Sequence, residues 1–387
     1  MRHEVAIYTT SSGTAGFYDR SHGRAGGAER QMTLLARALA ERGHRVAHVI
    51  YPPRDPVALA YPLTLVHRDP YAGDRRFGSA LEARATWRAL RDADADVVVA
   101  RTASPLVGVA AAFCKLRRRA FVFSSSNISD FTLEKMSSPR NRFLYGLGVR
   151  LADAVVVQSQ DQIALARKRF PALRRVVQIP SFAEPAAAAP AEEGSRAEAF
   201  LWYGRCVAQK EPMRYVALAR ALPEARFLMI PVPEGRSSRE LDDVQAAARD
   251  LPNLELLDPM PHDRLSTLIS SAVAVVNTSV LEGMPNTFLE AWARGVPVLT
   301  LRFDPDDVVA RHALGIAAQG SWDRFVAGAR DLWEGRADRE GWAERVRAYV
   351  EDAHSLAAVG DLWSDLIAEV RRRPARAGSR RLLPSPD

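Results

Sequence analysis

At 387 residues and 47% hydrophobic content, the chain is long enough to bury two separate cores, and no apolar run reaches the roughly 18 residues of a membrane-crossing helix. The net charge of +7 admits anionic partners such as phosphorylated substrates or lipid. No stacking-aromatic motif is interleaved with the basic residues, which points away from nucleic acid. Two distant cysteines, Cys114 and Cys206, argue against a disulfide framework, and the eight histidines form no metal-spaced pair, so neither metal nor cofactor is expected. The first residues lead directly into a strand without a signal pattern, so a cytoplasmic protein is expected.

In chain order, residues 4–10 read as a buried strand. A long loop follows, and residues 28–42 place Leu34, Leu35, Ala38 and Leu39 at helical spacing. Gly43 stops that helix, and residues 45–50 form a second strand. The pattern then predicts helix 81–92, strand 96–101, helix 105–116 and strand 120–124. A polar loop over 125–138 precedes helix 140–151, strand 154–157, helix 161–170 and strand 175–179. This alternation predicts a parallel sheet with helices on both faces, an α/β domain over residues 1–182. Residues 183–198 are small, polar and Pro-bearing, and read as a linker.

The alternation restarts after the linker. Strands are expected at 199–203, 225–230, 254–257, 271–277 and 296–300, with helices 211–221, 239–250, 263–270 and 287–294 between them. Residues 305–312, 322–333, 339–352 and 355–373 read as mostly helical, and the tail 374–387 as disordered. The second α/β domain is therefore expected over 199–354. Two such domains predict a substrate cleft between them.

Three junctions between strand and helix carry chemistry. Residues 281–300 (LEGMPNTFLEAWARGVPVLT) pass through a turn with Gly283, Pro285 and Asn286 into a short helix that stops at Gly295. Glu282 and Glu290 lie on either side of the helix start. The open end of such a helix offers backbone N–H groups and partial positive charge to a diphosphate. Glu290 can accept ribose hydroxyls, and Glu282 can reach a sugar beyond the diphosphate. A rival reading makes Glu290 part of a Thr287-x-x-Glu290 capping box. Upstream, Gly204-Arg205-Cys206-Val207-Ala208-Gln209-Lys210 follows a strand, and Arg205 and Lys210 suit a leaving diphosphate. In the first domain, Gly26 and Gly27 precede a helix, but the spacing is not G-x-G-x-x-G and no acid ends the second strand, so a dinucleotide site is disfavoured. Arg101, Ser126, Asn127 and Asp130, at the ends of neighbouring strands, are candidates for an acceptor side.

These blocks resemble the retaining glycosyltransferases of family 4. EGMPNTFLEAWARGVPVL is similar to the family's paired-glutamate signature, GRCVAQK to its Gly-Arg…Lys loop, and Gly26-Gly27-Ala-Glu-Arg to its N-terminal opening. The resemblance covers roughly residues 1–355. It implies the GT-B fold: two Rossmann-like, doubly wound domains facing across a cleft. It implies a nucleotide-diphosphate sugar donor, UDP or GDP, and transfer of a hexose-type sugar with retention to a saccharide, lipid-linked or small-molecule acceptor. By position, Arg205, Lys210 and Glu282 would be catalytic. Gly26, Gly27, Gly204, Gly283, Met284, Asn286, Thr287, Phe288 and Glu290 would bind the donor. No metal is implied. The last helix, 355–373, would cross back to the first domain.

Three positions depart from the family pattern. Glu211 follows Lys210 where glycine is common, which would place an acid near the phosphate. Pro231 to Gly235 replaces a Gly-x-Gly turn. Ser126 or Asn127 stands where many members carry a histidine. The alternatives these leave are a non-catalytic nucleotide-sugar-binding subunit and a nucleotide-sugar epimerase. Arg117 to Arg119, Arg140, Arg142 and Arg371 to Arg373 suggest peripheral contact with an anionic membrane at its inner face.

Overall fold

The computed structural model describes residues 2–19, 26–55, 57, 59–69, 78–133, 136, 138–185, 198–234, 238–337 and 340–372. The first half alternates strand and helix: β1 (His3–Tyr8), α1 (Gly27–Glu41), β2 (Val46–Ile50), β3 (Leu63–His67), α2 (Gly78–Ala93), β4 (Ala95–Arg101) and α3 (Leu106–Leu116). It continues through β5 (Ala120–Ser124), α4 (Ser129–Thr132), α5 (Pro139–Leu151), β6 (Ala154–Val157), α6 (Gln160–Arg169) and β7 (Val176–Gln178). All seven strands are parallel, in the order β3-β2-β1-β4-β5-β6-β7.

The second half repeats the plan with β8 (Ala199–Arg205), α7 (Pro212–Ala221), β9 (Phe227–Val232), α8 (Arg239–Ala248), β10 (Leu254–Leu256), α9 (His262–Ser270), β11 (Ala272–Asn277) and α10 (Asn286–Ala293). Then come β12 (Val298–Thr300), α11 (Val308–Arg311), β13 (Gly315–Ala317), α12 (Trp322–Glu334), α13 (Glu340–His354) and α14 (Leu356–Arg372). Its parallel order is β10-β9-β8-β11-β12-β13. Central strands such as β11 are buried at every residue, which is why they read as unbroken apolar runs. Two elements escaped the sequence pattern, β3 and β13. Both lie at sheet edges and are only partly buried, so neither needs a continuous apolar run. The polar loop 125–138 contains the short helix α4, and a 3-10 turn, Ser12–Phe17, lies in the long first loop.

Each sheet is covered on both faces. In the first domain Tyr8, Val98, Phe121 and Phe123 face α2, α3 and α5, while Val5, Ile7, Val97 and Val99 face the other way. That second face is closed by α1 and by α14, whose Val359, Trp363, Leu366, Ile367 and Val370 are buried on it. Burying such a side chain stabilises by about 1.5–3 kcal/mol, so the chain's last described helix is held to the first domain by its own apolar stripe. The two chain crossings between domains meet at His354. Its Nδ1 donates to the Ser181 carbonyl at 2.7 Å, and Ala183 N–H donates to the His354 carbonyl at 2.8 Å. Burial holds the His354 pKa down at about 4. Most of the sequence-predicted linker, and the tail from 373, lie outside the described residues.

Candidate active site between the two domains

In an open parallel sheet, the chain diverges to opposite sides at the switch point and leaves a crevice beyond the strand carboxyl ends. The switch lies between β1 and β4 in the first domain and between β8 and β11 in the second. The β8–β11 pair is irregular, with three residue steps on β11 (Ala272 to Val275) against two on β8 (Ala199 to Leu201). The Gly204–Lys210 loop leaves β8, and the Glu282–Asn286 turn follows β11, so both sequence blocks meet at one crevice.

The two loops are stitched together. Thr278 Oγ1 donates to the Lys210 carbonyl at 2.6 Å and accepts from Trp202 Nε1 at 3.1 Å. Val280 N–H donates to the Gln209 carbonyl at 3.0 Å, and the Gln209 amide donates to the Leu281 carbonyl. On this frame Lys210 Nζ lies 2.8 Å from Glu282 Oε1, which also accepts from Ser279 Oγ at 2.9 Å. The Lys210 stem runs past Gly204, with Cδ 3.5 Å from where a β-carbon would stand. Arg205 is exposed and pairs with Glu234, in the turn after β9, at 2.9 Å. Gly235 lies outside the described residues.

Glu211 directs its acid to neighbouring arginines rather than to Lys210. It holds a left-handed backbone (φ 41°, ψ 57°) immediately before Pro212, which explains why glycine suits this position. Its carboxylate turns to Arg302 and lies 3.7 Å from Arg214 Nε.

Helix α10 begins at Asn286 after Pro285, with no side-chain cap. Among the described residues, the Asn286 and Thr287 amides have no hydrogen-bond partner, so this helix end is open. The Phe288 amide, expected to join them, donates instead to the Pro285 carbonyl at 3.1 Å, and its ring is buried in the core. Met284 packs against that same core. The capping-box reading of Glu290 fails. Thr287 is already inside the helix, and the Glu290 carboxylate reaches sideways to Tyr203, which donates to Oε2 at 2.7 Å, and to Arg30 of the first domain. Burial, then the neighbouring Glu290, pushes the Tyr203 pKa well up, so the phenol stays a donor.

The first domain faces this end directly. Gly26 and Gly27 start α1, and a β-carbon on Gly27 would stand 1.8 Å from Asn286 Nδ2. Any side chain on residue 27 would have to displace the Asn286 amide. Gln31 Nε2 donates to Asn286 Oδ1 at 2.9 Å. The N-termini of α1 and α10 therefore converge, and two positive helix ends lie side by side at the crevice. At the second contact, the Ser126 carbonyl lies 2.8 Å from the site of a Gly283 β-carbon, with Gln162 Nε2 at 3.4 Å.

The acceptor-side candidates behave differently. Asp130 is buried, and its Oδ2 accepts from Ser126 N–H at 2.6 Å, Asn127 N–H at 3.2 Å, and the Ser125 and Ser126 hydroxyls at 3.1 Å. It shapes the loop rather than facing the cleft. Asn127 Oδ1 caps the Ser129 amide at 3.0 Å, and buried Arg101 donates to Ser124 Oγ at 2.9 Å. Burial lowers the Arg101 pKa to about 10. Of the four, only Ser126 reaches the opposite domain, and it does so through its backbone.

Sequence reasoning missed Arg30, Tyr203 as a partner of Glu290, His262, Glu184 and Gln162. One signal was present: Arg30 is a cation in the first turn of a helix, where the macrodipole favours an acid.

Two Rossmann-like domains that face each other across their strand carboxyl ends define the GT-B class. Residues 25–186 match the family model described as Glycosyltransferase Family 4, and residues 199–335 the model described as Glycosyl transferases group 1. Each model covers one domain, and together with the fold they support a glycosyltransferase of the family 4, GT-B type. The fold is similar to sucrose-phosphate synthase from Thermosynechococcus elongatus, with a TM-score of 0.74 at 16% identity over 95% of this chain and 99% of that one. It is similar to Anabaena HepE, solved with UDP and glucose, with a TM-score of 0.71 at 14% identity over 95% and 100%. WaaG, a glycosyltransferase involved in lipopolysaccharide biosynthesis, gives a TM-score of 0.67 at 19% identity over 94% and 99%.

Proposed function

We propose that the chain moves a hexose-type sugar from a nucleotide-diphosphate sugar to a saccharide or lipid-linked acceptor, with retention at the anomeric carbon. One observation carries the reading: the open N-terminus of α10, the Lys210–Glu282 pair and the Gly26-Gly27 start of α1 converge on one region. That region supplies cationic and N–H groups for a diphosphate, with carboxylates on either side for hydroxyls. Structures of HepE with UDP and glucose support a nucleotide-sugar ligand for this fold.

In this reading the diphosphate lies at the Asn286 and Thr287 amides, with Lys210 and Arg205 drawn onto its oxygens. Glu282 accepts from sugar hydroxyls, and Glu290 from the ribose. The bond from the anomeric carbon to the diphosphate oxygen breaks, and the acceptor oxygen bonds to that carbon from the same face. The acceptor proton passes to the departing diphosphate oxygen, so no strong protein base is needed and no metal is used. The amides and cations stabilise charge as it develops on the leaving group. The test is to screen the purified protein for binding and transfer against UDP- and GDP-sugars. If none binds, and Lys210→Ala and Glu282→Ala change nothing, the reading is wrong.

The proposal extends to a peripheral position at the inner membrane face. No helix among the described residues is long and apolar enough to cross a membrane. On α5, Phe143 and Leu147 are exposed one turn apart beside exposed Arg140, Arg142 and Arg150. Two of the other basic groups are partly structural: Arg119 pairs with Asp94 and Asp96, and Arg371 with Glu4 and Asp96. Co-sedimentation with vesicles should therefore require anionic lipid and fall for Phe143→Ser. Binding insensitive to both would end this part of the proposal.

A further inference from the structure

The Glu290 carboxylate has two oxygens and about four lone-pair directions. Tyr203 takes one on Oε2, and Arg30 takes one on Oε1. One direction on each oxygen is left, which matches the two adjacent hydroxyls of a ribose. The two partners differ in origin. Tyr203 belongs to the same domain as Glu290, whereas Arg30 comes from α1 of the other domain.

Arg30 is itself held in place. Its second terminal nitrogen donates to His262 Nδ1 at 2.9 Å, which fixes the other ring nitrogen as the protonated one. That Nε2 lies 3.3 Å from Glu184 Oε2, and Arg30 lies 3.6 Å from the same oxygen. The guanidinium also sits 5.9 Å from the centre of the Phe17 ring. The side chains of Arg30 and Glu290 are 14% and 11% exposed, so the pair is shielded from solvent and its geometry is defined. First-domain residues, the segment between domains and α9 thus all converge on the guanidinium that pairs with this one carboxylate.

We propose that Arg30 is a positioning residue for ribose recognition. By clamping Glu290 from behind, it makes the preference for a ribonucleotide depend on contact between the two domains. The proposal rests on the reading that Glu290 receives the ribose. It predicts that the first domain, through Arg30, sets how strongly the ribose hydroxyls are sensed.

The experiment measures by calorimetry the affinity of UDP, GDP and their 2′-deoxy counterparts for the wild type, Arg30→Ala, Arg30→Lys and Glu290→Gln. For whichever base binds, Arg30→Ala should weaken the ribonucleotide about 10-fold or more and the 2′-deoxynucleotide, which keeps only its 3′-hydroxyl on Glu290, clearly less, as expected when a charged hydrogen bond is lost. Arg30→Lys should restore part of the preference. In turnover, the donor KM should rise while kcat at saturating donor stays within about threefold, since a group that acts on ground-state and transition-state binding alike moves KM alone. If Arg30→Ala fails to fold, Arg30→Met, which keeps the apolar stem and removes the N–H donors, gives the same readout. An unchanged preference for the ribonucleotide in Arg30→Ala overturns the proposal, as does tighter binding, which would mean that Arg30 competes with the ribose. If Glu290→Gln also keeps the full preference, the assignment of Glu290 to the ribose fails and takes the proposal with it. If Glu290→Gln loses the preference and Arg30→Ala does not, only the proposal fails.

Discussion

The two switch points of this molecule are built alike and finished differently. In the second domain, the strand ends hold their charged groups toward the crevice: Lys210 and Glu282 meet at 2.8 Å on loops tied to each other by backbone bonds. In the first domain, the charged groups at the equivalent place are turned inward. Asp130 is consumed by four donors of its own loop, and Arg101 is buried beneath Ser124. What the first domain offers across the cleft is mainly backbone and Arg30. The difference teaches that charge in a loop at a strand end is not by itself a site. A carboxylate that meets a cation on the facing loop is a candidate, and one whose four donors all come from its own loop, as at Asp130 Oδ2, is a structural pin.

The largest expected effect comes from the second domain. Lys210→Ala should lower the transfer rate by about 10²–10³ with little change in thermal stability, as for loss of one preorganised electrostatic donor. Single-turnover kinetics with a saturating donor sugar would show it. An effect below tenfold would erase the contrast between the two switch points.

Next is acid sensitivity, which should come from the first domain and the hinge. Burial lowers the pKa of His48 to about 3 and of His354 to about 4. Both lie below the unfolded value of 6.5, so the unfolded chain binds more protons in that interval. Stability should therefore fall as pH drops from 6.5 toward 4, by of order 3 kcal/mol for each histidine. Thermal melts across that range would show the slope, and His354→Gln should remove about half of it. A flat profile would mean that neither ring stays neutral in the folded protein.

Smaller again is Asp130→Asn. Losing a charged acceptor for buried donors should cost about 1–3 kcal/mol of stability. If Asp130 is a pin, nucleotide affinity should not move by more than about twofold. A large loss of acceptor turnover without loss of stability would return it to the cleft.

The smallest effect is expected for Glu211→Gly. Relief of the left-handed backbone, about 1 kcal/mol, opposes the loss of the partly exposed pairs with Arg302 and Arg214. Melting temperature and rate should both stay close to wild type. A clear rise in rate would mean that the carboxylate does reach the phosphate side.

The alternating strands and helices, the two-domain division and the convergence of the second domain's blocks were legible along the chain. Central parallel strands must be apolar throughout, and Gly-bearing turns must follow them. Glu282, Lys210 and the start of α10 were readable because each lies within a few residues of a strand end. Strands β3 and β13 were not, because Thr64 interrupts the apolar residues of the first and the second is only three residues starting at Gly315. The role of Glu290 was ambiguous: a spacing of three residues from Thr287 fits a cap, and only the helix start at Asn286 removes that option. Asp130 was ambiguous in the same way, since a sequence does not say whether an acid spends its lone pairs on its own loop.

The sequence by itself determined the class of fold, the order of its elements and which loops of the second domain carry charge, because these follow from periodicity and from residues close together in the chain. Only the tertiary structure decided what stands opposite them. Arg30 and Glu290 are 260 positions apart and meet because two helix N-termini converge where Gly27 leaves room. Contacts of that kind depend on how two domains close on each other, which no local pattern of residues encodes.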